Sequence, residues 1–274
     1  MCLVKMWLFW WLVGVSGKSE ALTVGVVGGG GRLGQRVVDR LLVEGHEVRS
    51  LRRSHSARSP AGVTTVVGDV TDLESVIELL TNCSACIAVH GATRSRLSDL
   101  WTESAEDEVT HAKQVNYLGV ANLLEAMNVT GCGRIVRVTG RGEKPWSLFS
   151  ILINGFGSMA KAWNYEGETL LRRSNVDYTI VRPGVMTTAK EDEDTKKLLL
   201  LADNGIDLPV ASISYSDVAD LCVLSLGAEG TRRATLCAMT SVTEGESTWP
   251  IDKVKPDTRE FPPTLLREHK QAVR

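Results

Sequence analysis

The segment Leu22–Arg53, LTVGVVGGGGRLGQRVVDRLLVEGHEVRSLRR, decides the fold. Its apolar opening, Leu22–Val27, suits a strand covered on both faces. Four glycines, Gly28 to Gly31, follow it. Leu33, Val37, Val38, Leu41 and Leu42 then recur at helical spacing, Gly45 stops the helix, and Glu47–Leu51 reads as a second strand. Strand, glycine turn, helix and strand in that order form the first half of a dinucleotide-binding unit. The expected fold class is therefore α/β, a Rossmann-like doubly wound parallel sheet in a single domain with a small C-terminal extension.

Gly28, Gly31 and Gly34 make GxxGxxG, while Gly29, Gly31 and Gly34 also satisfy GxGxxG. Such a turn needs positive φ, a backbone bare enough to meet a diphosphate, and close packing of helix on strand. The helix beginning near Arg32 adds unpaired N–H groups and a partial positive charge. Gly28, Gly31, Arg32, Leu33 and Gly34 are thus the candidate phosphate cradle; the competing explanation is a Rossmann unit that holds no ligand. At the end of the second strand an NAD site wants an acidic side chain. Here Arg52 and Arg53 stand there, with Arg49 before and Arg58 after. Arginine forks onto a 2′-phosphate, so NADP is expected ahead of NAD, against the alternative of a solvated basic loop.

The 274 residues accommodate one large domain or two small ones, and the alternating pattern favours one, spanning 21–240. Net charge is −2 and the basic residues are dispersed, which argues against a nucleic-acid partner. Residues 1–17, MCLVKMWLFWWLVGVSG, carry an early lysine, a short apolar core and small residues at the end. They read as a secretory signal or short hydrophobic leader rather than a stable membrane span, which needs about twenty apolar residues. This implies secretory entry, or a plastid reached through it; if the leader is an artefact of the start site, the chain is cytoplasmic. Cys83 and Cys86 have CxxC spacing, but Cys86 enters a strand, so core packing is expected over redox or zinc chemistry, and no metal site is assigned. Residues 241–274 look like an extended tail with a short terminal helix.

Further strands are expected at Val63–Val67, Ala85–Val89, Arg134–Val138, Tyr178–Val181 and Ala234–Met239. A long helix is expected from about Val109 to Met127, and another from Ser216, with Ser216 or Asp217 as its cap. Thr71 or Asp72 is expected to cap the helix after the third strand. His90, at the end of the fourth strand, is an acid/base candidate or a simple strand end, and Gly91 lets backbone approach a nicotinamide ribose.

The motifs GDVTDLESV (Gly68–Val76), VNYLGVANLLEAM (Val115–Met127), GRIVRVTG (Gly133–Gly140), ETLLRRSNVDYTIVRPG (Glu168–Gly184) and ISYSDVADLCVLSL (Ile213–Leu226) extend the pattern. With them the chain resembles the atypical short-chain dehydrogenase/reductase superfamily, in its NmrA-like and plant or algal NAD(P)-binding branch. The resemblance implies that Asp69 and Val70 lie against the adenine and that Asn116 packs near the active site. It also implies that Thr139 hydrogen-bonds substrate and that Pro183 and Gly184 lie beside the nicotinamide. Relatives that reduce carbonyls carry Tyr-x-x-x-Lys on one helical face, where the ammonium lowers the phenol pKa. Registered on Glu168, Leu171 and Ser174, those positions are Ala160 and Asn164. Lys161 and Tyr165 are four apart but reversed and displaced, so no catalytic residue is assigned. A polar loop is anticipated over the cofactor at Thr93–Glu108, and the apolar segment Pro145–Met159 is either a wall of the nicotinamide pocket or a lipid- or partner-facing surface. A charged loop is anticipated at Lys190–Lys197. The implied activity is NADP(H)-dependent reduction of a small carbonyl, enone or quinone. The alternatives are a non-catalytic redox sensor or assembly factor with a protein partner, and a cofactor-using isomerase or epimerase.

Overall fold

The computed structural model describes residues 21–53, 60–93, 96, 107–140, 159–188, 197–202, 211–244 and 249–261. The leader, Arg58, most of the loop at 93–108, most of the apolar segment at 145–159, nearly all of the charged loop at 190–197 and the terminal helix lie outside them. The described residues build a doubly wound sheet. Strands β1 (Thr23–Val27), β2 (Glu47–Arg52), β3 (Val63–Val67), β4 (Ala85–Ala88), β5 (Arg134–Val138) and β6 (Asp177–Pro183) are extended by β7 (Val185–Thr187), β8 (Lys197–Ala202), β9 (Ser212–Ser214) and β10 (Ala234–Glu244). The main sheet runs β3-β2-β1-β4-β5-β6-β10-β8, parallel throughout except for antiparallel β8 at the edge; β7 and β9 form a separate parallel ribbon.

Helices cover both faces, and the alternation of side chains along each strand explains which residues meet them. Val24 and Val26 of β1, Ile87 of β4 and Val136 of β5 face α1 (Arg32–Val43) and the helix Tyr215–Gly227. Val27, Leu51, Ala88 and Ile135 face the other layer: α2 (Leu73–Leu80), α3 (Gly119–Thr130) and α4 (Ala160–Arg173). The helix Tyr215–Gly227 is therefore α5. Both faces of a parallel sheet are dry, so its strands read as near-continuous apolar runs. Cys83, Cys86 and Cys132 are buried free thiols in the second layer, in keeping with core packing.

Several local expectations are corrected. The helix expected from Val109 starts instead with a π-helical turn, Lys113–Leu118, and continues as α3 to Thr130. Val109 is exposed and does not supply an apolar first turn. Gly131, at φ 75°, ends α3 in the left-handed conformation, with its N–H on the Met127 carbonyl. The cap of α5 is Ser214, whose Oγ accepts from the Asp217 N–H at 2.9 Å, not Ser216 or Asp217. Buried Tyr215 already belongs to the first turn, which moves the start upstream. Asp72 rather than Thr71 caps α2. Strand β6 runs on through Pro183, whose register partner is Ala238 of β10.

Strand β10 runs past Met239 because antiparallel β8 partners it as far as Glu244, so residue 240 falls inside the strand. The stretch after it packs back on the domain. Trp249 and Val254 enter the core, and the Trp249 indole donates to the Asp217 carbonyl at 3.0 Å. Asp257 accepts from the Thr235 N–H at 2.8 Å and from the Tyr178 hydroxyl at 3.1 Å.

At Gly34, α1 packs so closely on the β1 turn that an added Cβ would overlap the Gly28 carbonyl oxygen and the Gly29 Cα. Nothing lies within 4 Å of a Cβ added at Gly30. Gly34→Ala is expected to lower stability by about 1–3 kcal/mol through overpacking, and Gly30→Ala to stay within about 0.5 kcal/mol, as read from urea midpoints.

Candidate functional site

Sheet order reverses between β1 and β4, and a ligand crevice is expected outside the carboxyl ends of the strands there. The structure has a cleft of about 700 Å³ at that place. The β1 and β4 ends meet tightly: Val89 N–H donates to the Val27 carbonyl at 2.9 Å, and a Cβ on Gly28 would come within 2.8 Å of the His90 nitrogen. Gly28 has φ 88°, which any other residue would adopt only under strain. Gly31 is the N-cap of α1 and is exposed. No side chain caps the helix and no acidic residue stands in its first turn, so its leading N–H groups keep their electropositive character. A bare cradle of this kind fits a diphosphate.

Of the residues singled out in the sequence, Gly28, Gly31, Arg52, Arg53, Asp69, Val70, His90 and Gly91 line this one cleft. Arg53 is exposed; Arg52 is 7 % exposed. Arg49 is turned elsewhere and closes the end of α2, donating to the Leu79 and Glu78 carbonyls at 2.9 and 2.8 Å. Asp69 accepts from the Thr71 N–H at 3.0 Å and from its hydroxyl at 2.9 Å, which holds the carboxylate at the end of β3. Asn122 anchors Val70 by donating to its carbonyl at 3.0 Å.

Five other candidates do not line the cleft. Leu33 is buried in the core, and Gly34 serves helix packing. The Arg32 guanidinium lies 5.2 Å over the Tyr215 ring. Thr139 donates its hydroxyl to Glu168 at 2.6 Å, and Pro183 is buried in β6. Val109, Thr110 and Val115 line the cleft without having been anticipated; Val115 sits in the π-helical turn. Asn116, in the same turn, joins three segments: its Oδ1 accepts from the Ala92 N–H at 3.0 Å, and its Nδ2 donates to the Ala160 carbonyl at 3.3 Å.

A profile of the NAD(P)H-binding family matches residues 28–229. The chain belongs to that family. An uncharacterised chloroplastic protein of Arabidopsis thaliana is 26% identical over 229 residues, covering 79% of this chain and 69% of the relative. The chloroplastic protein TIC 62 of the same plant is also 26% identical, over 76% of this chain but only 34% of its own length. The photosystem II assembly factor Ycf39 of Synechocystis is 27% identical over 77% of this chain and 60% of the relative. Among solved structures, a short-chain dehydrogenase/reductase from Veillonella parvula in complex with NADP superposes with a TM-score of 0.63. It is 16% identical, over 82% of this chain and 97% of that one, which speaks for the fold. The atypical short-chain dehydrogenase/reductase resemblance and its plant–algal branch therefore hold.

Where reductases of this superfamily are expected to carry Tyr and Lys, this NAD(P)H-binding chain has Ala160, whose carbonyl holds Asn116, and Asn164, which meets a buried arginine. Asn164 Oδ1 accepts from Arg137 Nη2 at 3.3 Å. Tyr165 faces the Arg172 and Arg182 guanidinium groups, each 5.9 Å from its ring centroid. Both His90 ring nitrogens are buried with no well-formed hydrogen bond, and burial with the nearby Arg137 charge outweighs the pull of the Val115 backbone and holds the imidazole well below its usual pKa. His90 is thus neutral at physiological pH.

Glu168 is 2 % exposed and receives Thr139 Oγ1 and Arg182 Nε on one oxygen, and Arg172 and Arg182 Nη2 on the other. Burial alone would raise its pKa, but Arg182, Arg172 and these hydrogen bonds override it and bring the carboxyl down to about 2. The folded state then binds fewer protons than the unfolded one, so this contribution to stability is complete above about pH 4.5 and is lost as pH falls towards 2. Glu168→Gln leaves the arginines without their counter-charge and is expected to cost about 3–5 kcal/mol at neutral pH. In denaturant melts across pH, the gap from the unaltered protein should narrow below about pH 4.5.

Proposed function

We propose that this chain binds NADP(H) in the cleft between the β1 and β4 ends and acts as an NADP(H)-dependent oxidoreductase on a small carbonyl, enone or quinone. The single observation that carries the reading is the gathering of the uncapped α1 terminus, Arg52, Arg53 and Asp69 around one cleft at the point where strand order reverses. In this reading Gly28 and Gly31 face the diphosphate, Arg52 and Arg53 face the 2′-phosphate, and Asp69 and Val70 face the adenine. Bound nicotinamide supplies hydride chemistry; the protein supplies orientation and charge. With no phenol and ammonium pair at the expected positions, substrate oxygen takes its proton from water or another side chain.

A second reading, a non-catalytic redox sensor or assembly protein, is favoured by Asn164 being held by Arg137. The likeness to a photosystem II assembly factor supports it as well. The chloroplastic relatives support a plastid location. Among the described residues no helix is long and apolar enough to cross a membrane.

Steady NADPH consumption with a panel of quinones and aldehydes is the expected result for the enzyme; tight NADPH binding with no turnover selects the sensor. Loss of one charged hydrogen-bonding group costs about 1.5–3 kcal/mol, so Arg53→Ala should weaken NADPH binding roughly 10- to 100-fold. NADH binding should be unchanged. Equal losses for both nucleotides in calorimetry would refute the 2′-phosphate role.

A further inference from the structure

Arg137 is the one residue of β5 whose charge is carried under the β4 end of the cleft. It is 1 % exposed. Its Nη1 donates to the Ala88 carbonyl at 3.1 Å and the His90 carbonyl at 2.6 Å, and its Nη2 to Asn164 Oδ1. All three acceptors are neutral, and its buried Nε has no partner. Glu168 attracts Arg137 through space but makes its hydrogen bonds with Thr139, Arg172 and Arg182, whose two guanidinium groups already outnumber it, and the neighbouring His90 is uncharged. Burial lowers the guanidinium pKa to about 10, so the group stays cationic at physiological pH.

The residue it grips, His90, and the next three, Gly91, Ala92 and Thr93, line the cleft. Arg52, Arg53 and Asp69 claim the β2–β3 side for the adenosine half of a dinucleotide. The opposite half must then lie over the β4–β6 ends, on the Arg137 side. An oxidised nicotinamide ring carries a positive charge and a reduced ring is neutral, whereas the phosphates are the same in both forms.

We infer that Arg137 is a specificity-determining residue that makes the cleft favour the reduced dinucleotide over the oxidised one. The inference rests on the NADP(H) reading above. The α1 terminus and the arginines of β2 act on phosphate and cannot tell the two forms apart. A buried cation near the ring can, because low dielectric leaves its repulsion weakly screened.

Isothermal titration of the full chain with NADPH and with NADP⁺, at one ionic strength, tests this. The unaltered protein should bind NADPH at least about tenfold more tightly. Asn164→Asp sets a carboxylate against the Arg137 guanidinium with almost no change of shape; it should shrink that ratio severalfold by strengthening NADP⁺ binding. Arg137→Lys keeps the charge and should keep the preference. A ratio near one in the unaltered protein, or equal shifts of both affinities in Asn164→Asp, overturns the inference while leaving dinucleotide binding intact. Uptake of neither nucleotide overturns both.

Discussion

The structure depends on how closely α1 can approach the end of β1. The contact between Gly34 and the Gly28–Gly29 backbone leaves no room for a methyl group, and Gly28 turns the chain at φ 88° against the His90 backbone. These two constraints aim the first turn of α1 at the crevice and bring the β1 and β4 ends together. Any spacer between helix and strand would move the exposed N–H groups away from the phosphate position and open the seam where the sheet reverses direction. The remaining cleft residues take their places from this seam: Arg52 and Arg53 from β2, Asp69 from β3, and His90 and Gly91 from β4.

The parts legible in the sequence are those governed by short-range pattern. Apolar runs placed β1 to β6 within a few residues, and glycine spacing located the turn. The face of α1 was readable because Leu33, Val37, Val38 and Leu41 repeat at 3.6 residues and are all buried. What escaped depends on partners distant in the chain. Strand β8 forms because β10 offers it an antiparallel edge, and no local pattern announces that pairing. Ser214 carries no stronger local signal than Ser216 or Asp217, and only the burial of Tyr215 in the first turn places the helix start upstream of them. Arg137 gave a faint signal, a charge inside the otherwise apolar Ile135–Val138 run, but its acceptors come from β4 and α4.

The charge distribution beneath the strand ends is uneven. Glu168 is matched by two arginines, and the Thr235 hydroxyl bridges Arg172 to Asp257. Arg137 makes its hydrogen bonds to neutral acceptors and feels Glu168 only through space. The NAD(P)H-binding family frame explains the cradle; the arginine set explains why this cleft need not behave like that of a relative carrying a tyrosine and lysine on α4. The fold is shared with the solved neighbours.

The stretch from Trp249 to Asp257 bears on the order in which the protein can be assembled. Trp249 and Val254 join the core layer that also holds α1 and α5, and Asp257 closes the amino end of β10 through Thr235. A ribosome delivers these residues after every other described element has emerged. The nascent domain therefore lacks these core and strand-end contacts until the residues that follow β10 have emerged.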